Sequence, residues 1–324
     1  MSPAARPRRH SHVYHVGFLL VAQFPMMAFA AALEPLRAAN RLSGSTLYGW
    51  SFYSRDGRPV IASNGVEVAV HGAVGADAKL DLLLVCAGTQ ETQPPSVTKW
   101  LRALARTGTA LGGISLGAYA LADAGLLDGR RCAVHWENLA AFTDRYPRAK
   151  TMPDILAIDG DRYTCSGGTS ALDLMLQLVT DQHGRTLANG VSEQFIHPRI
   201  RDTHDSQRMA VQSRIGVANE RLIAAVDLME AAADEPQSVH DIARAVGLSP
   251  RQLERLFARY LRDTPSRHYM KLRLARARAL LLQTTKPILD VAVASGFTSA
   301  SHFSRRYRAT YGRKPSDERA GVRS

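Results

Sequence analysis

The chain has little cysteine, no long apolar run and no cluster of metal-ligating side chains, and each absence closes off a class of protein. Cys86, Cys132 and Cys165 are odd in number and widely spaced. That is neither a disulfide framework nor a zinc pattern, so a reducing cytoplasm is the expected setting. No apolar run reaches the roughly 18–20 residues needed to cross a bilayer, so no membrane partner is expected. Residues 1–12 carry Arg, Pro and His without the apolar core of a signal peptide, and read as a disordered arm. No His, Cys, Asp or Glu set shows ligand spacing, so neither a metal nor another cofactor is expected.

Acidic residues are scarce in one region only. From residue 206 to the end there are 21 Lys+Arg against 11 Asp+Glu, a net of +10. Residues 1–205 hold the remaining 20 and 18 of the chain's 41 and 29, a net of only +2. A basic excess concentrated in this way is the electrostatic footprint of a polyanion binder, usually of nucleic acid. At 324 residues, 45% of them hydrophobic, the chain has material for two packed domains.

The two halves differ in periodicity. An apolar run at Val13–Val21 precedes a helical pattern over Met26–Leu42, which Pro25 is placed to open. Trp50–Ser54 and Val66–Val70 read as strands. Leu80–Cys86 is apolar without interruption and ends at Gly88, as a strand buried on both faces requires. Trp100–Arg106 reads as helix, Thr109–Ile114 as strand and Leu116–Leu127 as helix; Gly167–Gly168 leads into an apolar helix at Thr169–Thr180. This alternation predicts a flavodoxin-like α/β domain over residues 13–201, its parallel sheet covered on both faces. Residues 202–216 are polar and carry no core pattern, which makes them the expected linker. Residues 217–320 read as helix after helix, an all-α domain.

That second domain contains a repeat. Asp241-Ile-Ala-Arg-Ala-Val-Gly247-Leu-Ser249 matches Asp290-Val-Ala-Val-Ala-Ser-Gly296-Phe-Thr298 at an offset of 49. After a turn one residue longer, Leu253 and Phe257 match Phe303 and Tyr307, and Pro265-Ser266 matches Pro315-Ser316. Each unit reads as helix, glycine turn, helix. In the first, Ser249, Pro250 and Gln252 form a capping box at the start of the second helix. Leu253, Leu256, Phe257 and Tyr260 are expected on its buried face, which leaves Arg251, Gln252, Arg255 and Arg259 outward. In the second unit Ser301, His302, Arg305 and Arg306 are outward. Arg and Gln can read guanine and adenine edges in the major groove, and Arg also pairs with phosphate. The plain alternative is a solvated charged face, but two such faces recur in matched frames. Ser266–Leu282 between the units would span about 25 Å as helix, suited to holding two recognition helices about one DNA turn apart.

The segments LSPRQLERLFARYLRDTPSRHYMKLRLARARALL and VAVASGFTSASHFSRRYRATYGRKPSD resemble the two motifs of the AraC/XylS family of bacterial regulators, over about residues 217–320. The resemblance implies promoter DNA as partner, action as a homodimer, transcriptional activation and room for a contact with RNA polymerase.

In the first domain Gly113-Ile-Ser115-Leu-Gly117 satisfies G-x-S-x-G between a predicted strand and a predicted helix, the nucleophile-elbow context of serine hydrolases. A hydrolase would need a base at Ser115 and a third group to orient it; His135 and Glu137 are candidates that spacing cannot place. The runs FLLVAQFPMMAFAAALEPLRAANRLSG, VCAGTQ, GGISLGAYALADAGLLDGRRCAVHWEN and TCSGGTSALDLMLQLV look like the class I glutamine amidotransferase-like fold of the ThiJ/PfpI superfamily, over about residues 12–200. More narrowly, they are similar to GlxA-type regulators that join this fold to an AraC domain. Enzymes of the superfamily place Cys at the elbow, where this chain has Ser115, so the resemblance implies a former catalytic pocket reused for sensing and no enzyme. By the same resemblance Glu34 is the superfamily's acidic residue near the elbow. Gly88 and Thr89 follow a strand and can offer N–H groups to a carboxylate beside Ser115 and Leu116. His135, Trp136 and Glu137 follow another strand. Trp136 can receive a cation on its ring, with Glu34 or Glu137 to neutralise it; the plainer roles are core packing for Trp136 and a satisfied backbone group for His135. The implied effector is a small amino acid or quaternary amine such as arginine, carnitine or glycine betaine. A hydrolase or amidase fused to a DNA-binding domain is the alternative. A purely architectural DNA protein leaves the elbow-bearing domain without a role.

Overall fold

The computed structural model describes residues 12–77, 79–203, 205, 207 and 215–320. The arm expected over residues 1–12 lies outside them except for His12, which bonds to Asp81 Oδ1 at 3.2 Å. The chain forms two compact units, the first ending at Gln207.

The first unit is built on a seven-stranded sheet in the order β10-β11-β7-β6-β1-β2-β5. These are β1 (Tyr14–Leu20), β2 (Tyr48–Ser54), β5 (Gly72–Ala73), β6 (Leu82–Ala87), β7 (Ala110–Ser115), β10 (Leu156–Asp159) and β11 (Arg162–Cys165). All neighbours pair in parallel except β10 with β11. Strand β6 illustrates why its run is unbroken. Leu82, Leu84 and Cys86 enter the core under helices α1 (Met26–Ser43) and α5 (Ser170–His183). Leu83, Val85 and Ala87 enter the opposite core under α2 (Pro95–Arg106) and α3 (Gly117–Asp123). Period-two alternation between two buried faces therefore demands apolar residues at every position.

Several boundaries differ from expectation. The strand predicted at Val66–Val70 shrinks to β4 (Glu67–Val68), paired antiparallel with β3 (Val60–Ile61). The helix after the elbow stops at Asp123. Several elements escaped the sequence reading, among them a parallel pair, β8 (Arg131–Ala133) with β9 (Lys150–Met152), and the antiparallel β10–β11 hairpin. The hairpin turns at Gly160, φ +62°, after the Asp-Gly dipeptide that could have announced it. Helices α4 (Leu139–Arg145) and α6 (Arg185–Gln194) complete the unit.

The second unit is helical: α7 (Glu220–Ala231), α8 (Val239–Ala245), α9 (Pro250–Leu256), α10 (Pro265–Gln283), α11 (Ile288–Ala294), α12 (Ala300–Tyr311) and α13 (Pro315–Ala320). It holds two small cores. Leu222, Val226, Met229, Ile242, Leu253 and Phe257 fill the first; Leu274, Leu281, Val291, Phe297, Phe303 and Tyr307 fill the second. The expected burial of Tyr260 is corrected, since it is 39% exposed. The helix passes into a π turn at Phe257–Leu261, and the extra residue per turn rotates Tyr260 off the face that holds Leu253 and Phe257.

Candidate functional site

Strand β7 delivers Ser115 into a sharp turn at φ +58°, from which α3 departs. Both flanking glycines are required by close approach. A Cβ on Gly117 would lie 1.9 Å from Val85 O, and one on Gly113 would lie 2.4 Å from Ala118 N. The G-x-S-x-G pattern thus follows from packing strand, turn and helix together, whether or not the serine reacts. A left-handed serine is strained by about 1 kcal/mol or more, so the surrounding fold must hold it there.

Around the elbow, Leu116 N–H donates to Ala87 O at 3.1 Å, which sets Gly88 and Thr89 at its rim. Thr89 Oγ1 is buried and has no hydrogen-bond partner among the described residues. Gly167 lies on another side, where a Cβ would come 2.7 Å from Ser115 Cβ. The loop after Thr89 is pinned in place. Gln90 Nε2 donates to Asn138 Oδ1, and Arg145 donates to Thr92 Oγ1 at 2.9 Å and to Asp123 Oδ1 at 3.0 Å. Asp123 also accepts from Gln93 N–H at 3.1 Å. The Gln90–Asn138 bond ties this loop to the short 3₁₀ turn Trp136–Asn138, so His135, Trp136 and Glu137 stand alongside it. A cleft of about 550 Å³ opens on the other flank of the same loop, between Leu20–Gln23, Arg55–Asp56 and Glu91–Pro94. It lies at the carboxyl ends of β1 and β2, where open α/β sheets commonly take ligands.

Trp136 is 41% exposed and is not core. His135 Nδ1 accepts the Glu137 N–H at 3.4 Å and lies 3.7 Å from Glu137 Oε2. Burial holds the imidazole below its ordinary value of 6.5 and outweighs the opposing pull of Glu137. No hydrogen bond joins Ser115 Oγ to His135 or to any other base among the described residues. Cys165, paired with Ile114 in the sheet, does not stand in for a reactive thiol: full burial pushes it up to about 11. Pro25, which opens α1, lies beside Gly88, its Cδ 3.5 Å from where a Cβ would stand, and Glu34 follows nine residues later, about 13 Å along a helix. There it pairs with Arg37 at 2.6 Å.

In the second unit both recognition helices begin on serine caps. Ser249 Oγ accepts from Gln252 N–H at 3.3 Å, and Gln252 Oε1 accepts from Ser249 N–H at 2.8 Å. Gln252 therefore spends its carbonyl on the cap, which leaves only its NH₂ for a base. Ser299 Oγ accepts from His302 N–H at 3.4 Å. Arg251, Arg255 and Arg305 are exposed and make no ion pair among the described residues. Arg259 lies over the Tyr260 ring at 5.2 Å, and Arg306 Nε reaches His302 Nε2 at 3.3 Å. Ser301 is exposed. Within this unit the two helix-turn-helix repeats are clamped together by α10. Arg273 donates to Ser295 O at 3.0 Å and to Gly296 O. Arg276 spans from Ala294 O to Asp234 Oδ2, at 3.0 and 3.1 Å.

Comparison with known proteins decides the family. A profile described as DJ-1/PfpI family matches residues 27–181, and one described as helix-turn-helix domain matches residues 242–321. The HTH-type transcriptional regulator CdhR of Pseudomonas aeruginosa is 47% identical over 94% of this chain and 90% of its own length. The chain is an AraC-family transcriptional regulator with an N-terminal DJ-1/PfpI domain. The regulator is also 35% identical to the HTH-type transcriptional regulator GlxA of Rhizobium meliloti, over 94% of this chain and 95% of that protein. The crystal structure of an AraC family transcriptional regulator from Pseudomonas putida superposes at a TM-score of 0.53 with 34% identity. It covers 56% of this chain and 99% of the other. DNA binding follows from the helix-turn-helix domain, and no helix among the described residues is long and apolar enough to cross a membrane.

Sequence reasoning missed the residues that frame the elbow: Gln90, Asp123, Asn138, Arg145 and Gly167. The polar run Gly88–Gln93 directly after a buried strand was the one available signal, since such a loop needs partners for its polar groups.

Proposed function

We propose that the regulator is a ligand-responsive activator working in the cytoplasm as a homodimer on promoter DNA, with a sensing domain at residues 13–201, a connecting segment at 202–216 and a DNA-binding domain at 217–320. The elbow senses and does not catalyse. The observation that carries this reading is an elbow serine with no hydrogen-bonded base among the described residues, in a fold unit that also holds an unpartnered buried hydroxyl at Thr89 and an exposed indole at Trp136. Gly88, Thr89, Ser115 and Leu116 supply polar groups for a carboxylate, and Trp136 with Glu137 supplies a ring face and a charge for a cation. His135, kept neutral by burial, orients Glu137. Glu34, about 13 Å along its helix, is left out of the site. That combination suits a small amino acid or quaternary amine. Arg251, Arg255, Arg259, Ser301, His302, Arg305 and Arg306 form the DNA side, with Gln252 mainly as a cap, and RNA polymerase is the further partner of an activator.

A thermal-shift screen against arginine, carnitine and glycine betaine, with mass spectrometry of the recovered compound, tests this. Binding at a hundred times Kd adds about 2.7 kcal/mol of stability. Stabilisation by a compound recovered unchanged is expected. The serine-hydrolase alternative draws support from the left-handed Ser115, and conversion of the compound, lost on Ser115→Ala, would establish it instead.

A further inference from the structure

The polar stretch that begins at Asp202 is not a free linker at its start. Asp173, fully buried in the first turn of α5, is used entirely by the chain leaving the first unit. His197 Nε2 lies 2.9 Å from its Oδ1, Arg201 N–H donates to Oδ1 at 2.8 Å, and the Arg201 guanidinium donates to Oδ2 at 2.7 and 2.9 Å. Arg201 also reaches Thr169 Oγ1 at 2.7 Å. Two residues before Thr169, Gly167 packs on Ser115. Six residues beyond Arg201, the Gln207 carboxamide plugs into the backbone around the Trp136 turn. Its Oε1 accepts the Trp136 N–H at 2.7 Å, and its Nε2 donates to Val134 O at 2.9 Å and Asp154 O at 2.7 Å. Just upstream of the Asp173 anchor, Ile196 is 92% exposed at φ +54°, a left-handed conformation that is an outlier for a β-branched residue.

We infer that Gln207 is a positioning residue for the Trp136 turn, and that Arg201 and Gln207 are the two ends of a latch through which occupancy of the elbow site reaches the chain leading to the DNA-binding domain. The inference rests on the sensor reading above. The two ends of the latch differ in strength. The Asp173 end is buried, charge-assisted and multiply bonded, and breaking it would strand a charge. The Gln207 end consists of neutral bonds to half-buried backbone groups, each worth little net. A ligand seated on Trp136 moves the turn that Gln207 holds, so the Gln207 end opens while the Asp173 end stays. The ligand drives this only by binding the open turn better than the latched one.

The test uses the full-length chain with Gln207→Ala, and with Gln207→Glu, which keeps the acceptor for Trp136 N–H but loses both donated bonds. Amide hydrogen exchange and affinity for DNA selected from a genomic library by the wild-type chain are measured without any ligand. Exchange in peptides covering residues 134–138 and 202–207 should rise on the order of tenfold, while β6 and residues 197–201 keep wild-type protection. Ligand-free DNA affinity should shift on the same scale. Faster exchange with unchanged DNA affinity would reduce Gln207 to a local structural residue and overturn the latch, as would unchanged exchange. Wild-type protein exposed to glycine betaine, carnitine or arginine separates the two readings. If none alters exchange anywhere while Gln207→Ala still shifts DNA affinity, the latch stands and the proposed ligand class falls.

Discussion

The elbow and the DNA-binding repeat are two ways of building a site from the same kinds of residue. At the elbow, chemistry depends on backbone shape, and much of that shape is enforced from far along the chain: Val85 crowds Gly117 and Gly167 crowds the serine itself, while Ala118 of the departing helix crowds Gly113. In the repeat each recognition helix is built locally, from a serine cap, two inward aromatic or aliphatic anchors and outward arginines. The difference teaches where tolerance lies. A surface arginine can be removed without disturbing the helix that carries it, whereas an elbow glycine cannot gain a methyl group.

The largest effect should come from Gly117→Ala. A methyl group 1.9 Å from a main-chain carbonyl forces β6 and α3 apart, and thermal unfolding should report a loss of about 3 kcal/mol in the first unit. A Tm within a degree of wild type would mean the elbow is as forgiving as the repeat. The two glycine turns of the repeat sharpen the contrast within one unit. Gly296→Ala meets both φ +74° and Pro236 Cδ at 2.5 Å; Gly247→Ala meets φ +68° with nothing within 4 Å. Urea denaturation should give about 2–3 kcal/mol for the first and about 1 kcal/mol for the second. Equal losses would show that the contact with Pro236 relaxes at no cost.

Arg255→Ala and Arg305→Ala should each weaken binding to selected DNA about tenfold with the unfolding midpoint unchanged. Gln252→Ala should instead lower stability by about 1 kcal/mol through loss of the cap. An Arg255→Ala protein with wild-type DNA affinity would make that face a solvated one. The smallest effect concerns His135. Its folded value is held below 6.5 by burial, so the unfolded chain takes up its proton first as pH falls. Stability is intact at pH 8 and declines as pH drops below 6.5 towards the depressed folded value; His135→Asn should flatten that part of the profile.

Legibility followed the same division. The repeat could be read because its signals are local: glycine, cap and anchor recur at fixed offsets within a few turns of helix. The parallel sheet was legible because a strand buried on both faces must be apolar throughout. Tyr260 was misread because nothing in the sequence marks the π turn that rotates it outward. Residues 202–207 were read as linker because polarity is equally consistent with solvent and with partners. Arg201 and Gln207 found those partners in a carboxylate and in backbone groups distant in sequence.

The sequence by itself determined the two-domain architecture, the basic helix-turn-helix pair and the G-x-S-x-G spacing of an elbow, since periodicity, capping and motif spacing are short-range signals. Only the tertiary structure decided which polar groups surround Ser115, that no base among the described residues bonds to it, and that the exit from the first unit is fastened at Asp173 and Gln207. Those are long-range hydrogen bonds and contacts, and a hydrogen bond across dozens of residues leaves no period or spacing in the chain that makes it.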